Sequence, residues 1–135
     1  MSAEDKSINF TKIKKHWMES SDSDFNTMLN LYKSGDYHWS LFIGHLVLER
    51  LLKAVYVEIN HKHAPYLHDL MRLSKFCELE ISEEHKEWLD TITTFNINAR
   101  YESYKKEFYK KCTKEYSLQW IDKIKILREW IKNKL

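Results

Sequence analysis

The chain has 135 residues, the size of one ordinary domain, with 22 basic and 20 acidic side chains and a formal net charge of +2. Two glycines and one proline are too few turn-formers for a string of hairpins, which excludes most all-β architectures. An apolar share of 43% beside 31% charged residues suits a packed core under solvated helix faces, and the near-neutral balance excludes an overall field that demands a polyanionic partner.

Residues 1 to about 8 are polar and uncapped, and are expected to be flexible. Ile13, Trp17, Phe25, Met28, Leu29 and Tyr32 then recur at three- and four-residue steps, the spacing of one side of a helix. Ser34-Gly35-Asp36 closes it, with Gly35 free to take a left-handed conformation. The run Ser20-Ser21-Asp22-Ser23-Asp24 competes for backbone hydrogen bonds and predicts a kink.

Tyr37 to Asn60 is the most apolar segment. Leu41, Leu48, Leu52, Val55 and Ile59 form one line, and Ile43, Val47, Leu51 and Ala54 a second beside it. So wide an apolar surface predicts the central helix of a bundle. The stretch His61 to Pro65 reads as a loop, because proline disfavours helical geometry in the residue before it. A short helix with Leu67, Leu70, Leu73 and Phe76 inward follows. Ser82 is an N-cap candidate, with Glu83 and Glu84 at the positive end of a helix dipole and Trp88, Ile92, Phe95 and Ala99 as the buried line. The last helix runs from about Ser117 to Asn133 and buries Trp120, Ile124, Leu127 and Ile131. Tyr101 to Lys114 has no clean period and its structure is left open. The expected fold is an all-α antiparallel bundle of about five helices, one domain over residues 1–135.

Cys77 and Cys112 lie far apart without metal or redox spacing. In a chain that opens on polar residues rather than a secretory leader, they read as free thiols of a soluble, cytoplasmic protein. No apolar run approaches the roughly 18 residues of a membrane span.

Three constellations could carry chemistry. His38, His45, Glu49 and Lys53 share a narrow polar stripe on the central helix. The expected reading is a solvated stripe, with Glu49 and Lys53 as an i,i+4 ion pair. Arg100, directly after the fourth buried line, offers a guanidinium fork for phosphate or an ion pair with Glu49 or Asp24. Tyr101, Tyr104, Lys105, Lys106, Phe108, Tyr109, Lys110, Lys111 and Lys114 mix rings with ammonium groups, the ingredients of a single-strand nucleic-acid surface; the ordinary alternative is a solvated loop with its aromatics tucked into the core. His61, His63 and His68 lack partners at zinc-site spacing, so neither a metal nor a cofactor is expected.

Several short patterns, in order, resemble the HEPN domain family: Trp17 and Asp24-Phe25, Gly35-Asp36-Tyr37, Glu49-Arg50-Leu51-Leu52-Lys53-Ala54, His68-Asp69-Leu70 and Asn98-Ala99-Arg100-Tyr101. The resemblance covers roughly residues 10 to 132. It implies a helical bundle that commonly forms a homodimer with the arginine near the dimer cleft, and a metal-independent ribonuclease site in many members. That site pairs the arginine with a histidine four to six residues later. Here those positions are Tyr104, Lys105 and Lys106, and no histidine follows. Without an imidazole titrating near neutral pH, cleavage by the family route is not expected.

The resemblance therefore implies a non-catalytic nucleotide- or RNA-binding subunit, with Glu49, Lys53, Arg100 and Tyr101 at a polar cleft and His45, Tyr104, Lys105 and Lys106 as secondary candidates. It further implies a minimal nucleotidyltransferase as partner in a system of toxin–antitoxin type, for which Tyr101 and Tyr104 are conceivable acceptors. Two alternatives stand beside it: a divergent endoribonuclease using Arg100 with Lys105, Lys106 or His68, and a purely structural dimerisation module whose polar stripe fixes helix register.

Overall fold

The computed structural model describes residues 8–135, so the expectation of a flexible chain start lies outside the described residues up to residue 7. Six helices follow in order: α1 (Phe10–Lys33), α2 (Tyr37–Asn60), α3 (Leu70–Phe76), α4 (Glu83–Asn98), α5 (Glu102–Lys111) and α6 (Lys114–Lys132). No strand occurs among the described residues.

Local chemistry accounts for most helix ends. The side chains of Asn9, Asp69, Ser82 and Thr113 accept from Lys12, Arg72, His85 and Tyr116 N–H groups, each satisfying one of the donors a helix start leaves unpaired. Gly35, at φ +83°, turns the chain out of α1, and the Asp36 N–H donates back to the Leu31 carbonyl at 2.9 Å. α2 ends on His61, which takes a left-handed φ of 50° without being glycine.

The predicted kink in α1 is absent, and the helix runs unbroken across the Ser20–Asp24 stretch. Its polar side chains find partners on other helices. Buried Ser21 donates to the Val47 carbonyl at 2.7 Å, Asp24 pairs with Arg50, and Asp22 takes Arg128 at 3.1 Å. The segment left open by the sequence forms α5 and the start of α6. Glu102 lies in the first turn of α5 and Lys110 and Lys111 in its last, both favourable to the helix dipole.

α2 packs against each of the other five helices. Its Leu41, Leu48 and Leu52 meet Met28 of α1, Phe95 of α4 and Ile124 of α6 in one core cluster. Gly44 leaves room for two core side chains: a Cβ there would lie 2.6 Å from Ile124 Cδ1 and 3.1 Å from Met28 Sδ. Two residues expected inward, Ile59 and Phe76, are exposed instead. Each sits in the last turn of its helix, where the chain leaves the bundle. No helix among the described residues is long and apolar enough to cross a membrane.

Candidate functional site

The polar stripe of α2 is not solvated. His45 is fully buried, and Glu49 and Lys53 are exposed only to 4% and 5%. The Tyr66–Asp69 segment lies over it, because His68 is tied to α2 at two points. Its Nδ1 donates to Glu49 Oε1 at 2.8 Å, and its backbone carbonyl accepts from His45 Nε2 at 2.8 Å. The carboxylate's other oxygen takes Lys53 Nζ at 3.0 Å. One carboxylate therefore holds an ammonium and an imidazole, and its stripe partners all belong to this same chain.

The partners also fix the tautomers. A carbonyl can only accept, so His45 carries its proton on Nε2, and its buried Nδ1 has no partner among the described residues. A carboxylate likewise requires a proton on His68 Nδ1, and Nε2 makes no hydrogen bond to the described residues. Burial holds the His45 pKa below the ordinary histidine value, the neighbouring His68 and Arg100 charges pushing the same way against the His68 carbonyl and Glu49.

Around Lys53 stand two rings. Its Nζ lies 5.3 Å from the centre of Trp17 and 6.0 Å from that of Tyr66. Tyr66 is 95% exposed and meets His68 edge-on at 5.6 Å. Beside Trp17 opens a cavity of about 510 Å³ flanked by Lys12, His16 and His63.

Arg100 follows α4 at the junction with α5. Its Nε donates to the Asn96 carbonyl at 2.9 Å, and the guanidinium rests 5.6 Å from the Phe42 ring and 5.8 Å from Tyr101. The ion pairs with Glu49 or Asp24 that the sequence allowed do not form. Glu49 is taken by Lys53 and His68, and Asp24 by Arg50. The structure thus joins Glu49 to Lys53 and His68 directly, and sets Arg100 and Tyr101 apart from them with no bond between the two groups. Arg100 remains near enough to His45 for its charge to act on that ring.

The lysine-rich cluster divides across α5. Phe108 is buried, whereas Tyr101, Tyr104 and Tyr109 stand exposed rather than tucked into the core. Lys105 Nζ lies 4.9 Å from the Trp39 ring, and Tyr104 borders a cavity of about 290 Å³ with Asn98, Glu107 and Lys111. Trp39 and Phe42, which touch Lys105 and Arg100, carry no sequence signal that separates them from core aromatics. Among the described residues no group of three or more His, Cys, Asp or Glu is arranged to hold a metal ion. Cys77 and Cys112 are buried, and burial pushes both thiols up to about 12.

A family model described as the HEPN domain matches residues 15–134. The chain belongs to the HEPN family. A solved structure, the crystal structure of TT1696 from Thermus thermophilus, is similar to this chain with a TM-score of 0.77 at 17% identity, over 90% of this chain and 98% of that one. At that identity the likeness speaks for the fold alone. No curated protein matches the chain. Membership places this HEPN domain in a family associated with nucleotides and RNA. In it the first turns of α5 supply Tyr104, Lys105 and Lys106 where the resemblance called for a histidine after the arginine.

Proposed function

We propose that this HEPN domain is a nucleotide- or RNA-binding subunit that holds phosphate through Arg100, with Lys53 and Glu49 shaping the adjoining cleft and Tyr101 offering a ring. The observation that carries the reading is the state of Arg100. Its side chain spends one N–H on the Asn96 carbonyl, rests on two rings and pairs with no carboxylate among the described residues. A guanidinium whose fork is left open suits a bidentate phosphate contact. Tyr101, more than half exposed, offers a face on which a base can stack.

Titration of AMP and of a short single-stranded RNA against wild type and Arg100→Ala tests this. The variant is expected to bind more weakly by the worth of one charge-assisted hydrogen bond, about 1.5–3 kcal/mol. Equal affinity for both proteins would remove Arg100 from the site. The finer reading assigns a minimal nucleotidyltransferase as partner in a toxin–antitoxin-like system, and a homodimer as the working form. Its support is the sequence resemblance, together with the exposure of the Tyr101 and Tyr104 side chains.

A second reading, a divergent ribonuclease, is favoured by one observation. His68 has Nδ1 fixed by a carboxylate and Nε2 free, the arrangement that orients an imidazole for proton transfer. Incubation of RNA in EDTA with wild type and His68→Ala decides between the two. Cleavage by wild type alone establishes the ribonuclease, and no cleavage by either leaves binding.

A further inference from the structure

At the other end of α2, its first turn and the outer face of α5 enclose a cavity of about 440 Å³, lined by His38, Trp39, Glu102, Lys105, Lys106 and Tyr109. Its rings touch in series. Tyr109 meets His38 edge-on at 5.1 Å, and His38 lies 4.9 Å from Trp39. Tyr109 keeps most of its surface open, and the Lys105 ammonium stands 4.9 Å from the Trp39 ring. His38 is nine-tenths buried, yet its Nδ1 has no hydrogen-bond partner among the described residues.

Two lysines against the single carboxylate of Glu102 leave the rim net positive. The corner therefore combines aromatic faces and a pair of ammonium groups. Phosphate alone would use only the lysines, and an apolar ligand only the rings. A nucleotide unit uses both, since its base carries a π-face while its phosphate meets the rim.

The corner is continuous with Arg100: Trp39 meets Phe42 edge-on at 5.8 Å, and Phe42 lies 5.6 Å from the guanidinium. We propose that the α2–α5 corner is a second nucleotide subsite, and that the ligand is a single-stranded nucleic acid laid from Arg100 across Trp39 to Lys105 and Lys106, not a mononucleotide. The extended path rests on the reading of Arg100 as the phosphate holder.

The test measures binding of oligoadenylate and of AMP to wild type, Arg100→Ala, Tyr109→Ala and the pair Lys105→Gln with Lys106→Gln, over a range of salt. Tyr109 and Lys106 are exposed and Lys105 half-buried, and circular dichroism verifies that each variant is folded. The glutamine pair is expected to lower the salt slope of oligoadenylate binding by about 1.4, the worth of two phosphate contacts on a single strand. Tyr109→Ala is expected to weaken the oligomer roughly 5- to 150-fold, the range of one lost base stack. AMP affinity is expected to fall less than that of the oligomer in both, since AMP is also held at Arg100. An unchanged slope in the glutamine pair overturns the subsite, and equal weakening of AMP and oligomer overturns the extended path. If the glutamine pair loses the oligomer while Arg100→Ala loses nothing, the corner stands and the Arg100 reading falls. If wild type binds neither ligand, both fall.

Discussion

Replacing Glu49 by glutamine should be among the most damaging single changes on α2, although shape and volume hardly alter. The carboxylate accepts from Lys53 Nζ at 3.0 Å and His68 Nδ1 at 2.8 Å, one on each oxygen. A glutamine keeps one oxygen and presents donors where the other stood, so either the ammonium or the imidazole faces an N–H group. Lys53, 5% exposed, is then a buried cation without a counter-charge. Breaking a buried pair from one side costs about 3–5 kcal/mol. For a chain of this length that is a fall of roughly 10 °C or more in Tm. Lys53→Met should cost less, about 1.5–3 kcal/mol, because Glu49 keeps its bond to half-exposed His68. The double change Glu49→Leu with Lys53→Met removes both charges and should recover much of the loss. Urea unfolding followed by far-ultraviolet circular dichroism gives all three values. A cost below about 1 kcal/mol for Glu49→Gln, the range of an exposed pair, would show the stripe to be solvated and the reasoning wrong.

Gly44→Ala gains helix propensity of about 1 kcal/mol, but places a Cβ 2.6 Å from Ile124 Cδ1 in a fully buried position. Overpacking of about 1–3 kcal/mol should outweigh the gain, and a raised Tm would contradict the tight α2–α6 approach. His45 has its pKa lowered by burial, so the unfolded chain binds the proton more readily. Its contribution is complete above the unfolded value of about 6.5 and is lost as pH falls below it. The drop in unfolding free energy between neutral and mildly acid pH should shrink in His45→Gln, and an unchanged drop would assign it elsewhere. Cys77 and Cys112, with thiols pushed up to about 12, hold almost no thiolate at neutral pH. Alkylation should therefore proceed only through unfolding and accelerate with urea in step with it, whereas fast labelling of native protein would show the thiols to be accessible.

What the sequence reveals depends on whether a feature is local. Gly35 and Ser82 announce helix ends because their chemistry acts on the next few residues, and the structure uses each of them there. The spacing of His45, Glu49 and Lys53 shows that they share a face, but not what covers it. The cover is His68 and its neighbours, nineteen positions from Glu49 along the chain. α5 shows no period because it buries Phe108 alone, and a single buried side chain makes no stripe. The state of Arg100 was open for the same reason. It depends on Asp24 of α1 being held by Arg50 of α2 and on Glu49 taking distant His68 besides its i,i+4 partner Lys53, two choices made in three dimensions. Ser21 and its neighbours suggested a kink because their partners on α2 and α6 are likewise invisible locally.

The two ties between His68 and α2 give the buried cluster a second consequence. They pin the Tyr66–Asp69 segment at a backbone carbonyl and at a ring nitrogen, and Tyr66 projects outward from that pinned base. The ring that flanks Lys53 on its open side therefore depends for its position on Glu49 and His45, which a ligand need not touch. Loss of binding in a Glu49 variant would then report a displaced Tyr66 as readily as a lost contact. Arg100 has no such tie to the cluster: among the described residues its side chain bonds the Asn96 carbonyl of α4 and its backbone N–H the Ile97 carbonyl. A change at Arg100 consequently separates recognition from folding, whereas one at Glu49 mixes them, and the exposed lysines of α5 share the advantage of Arg100.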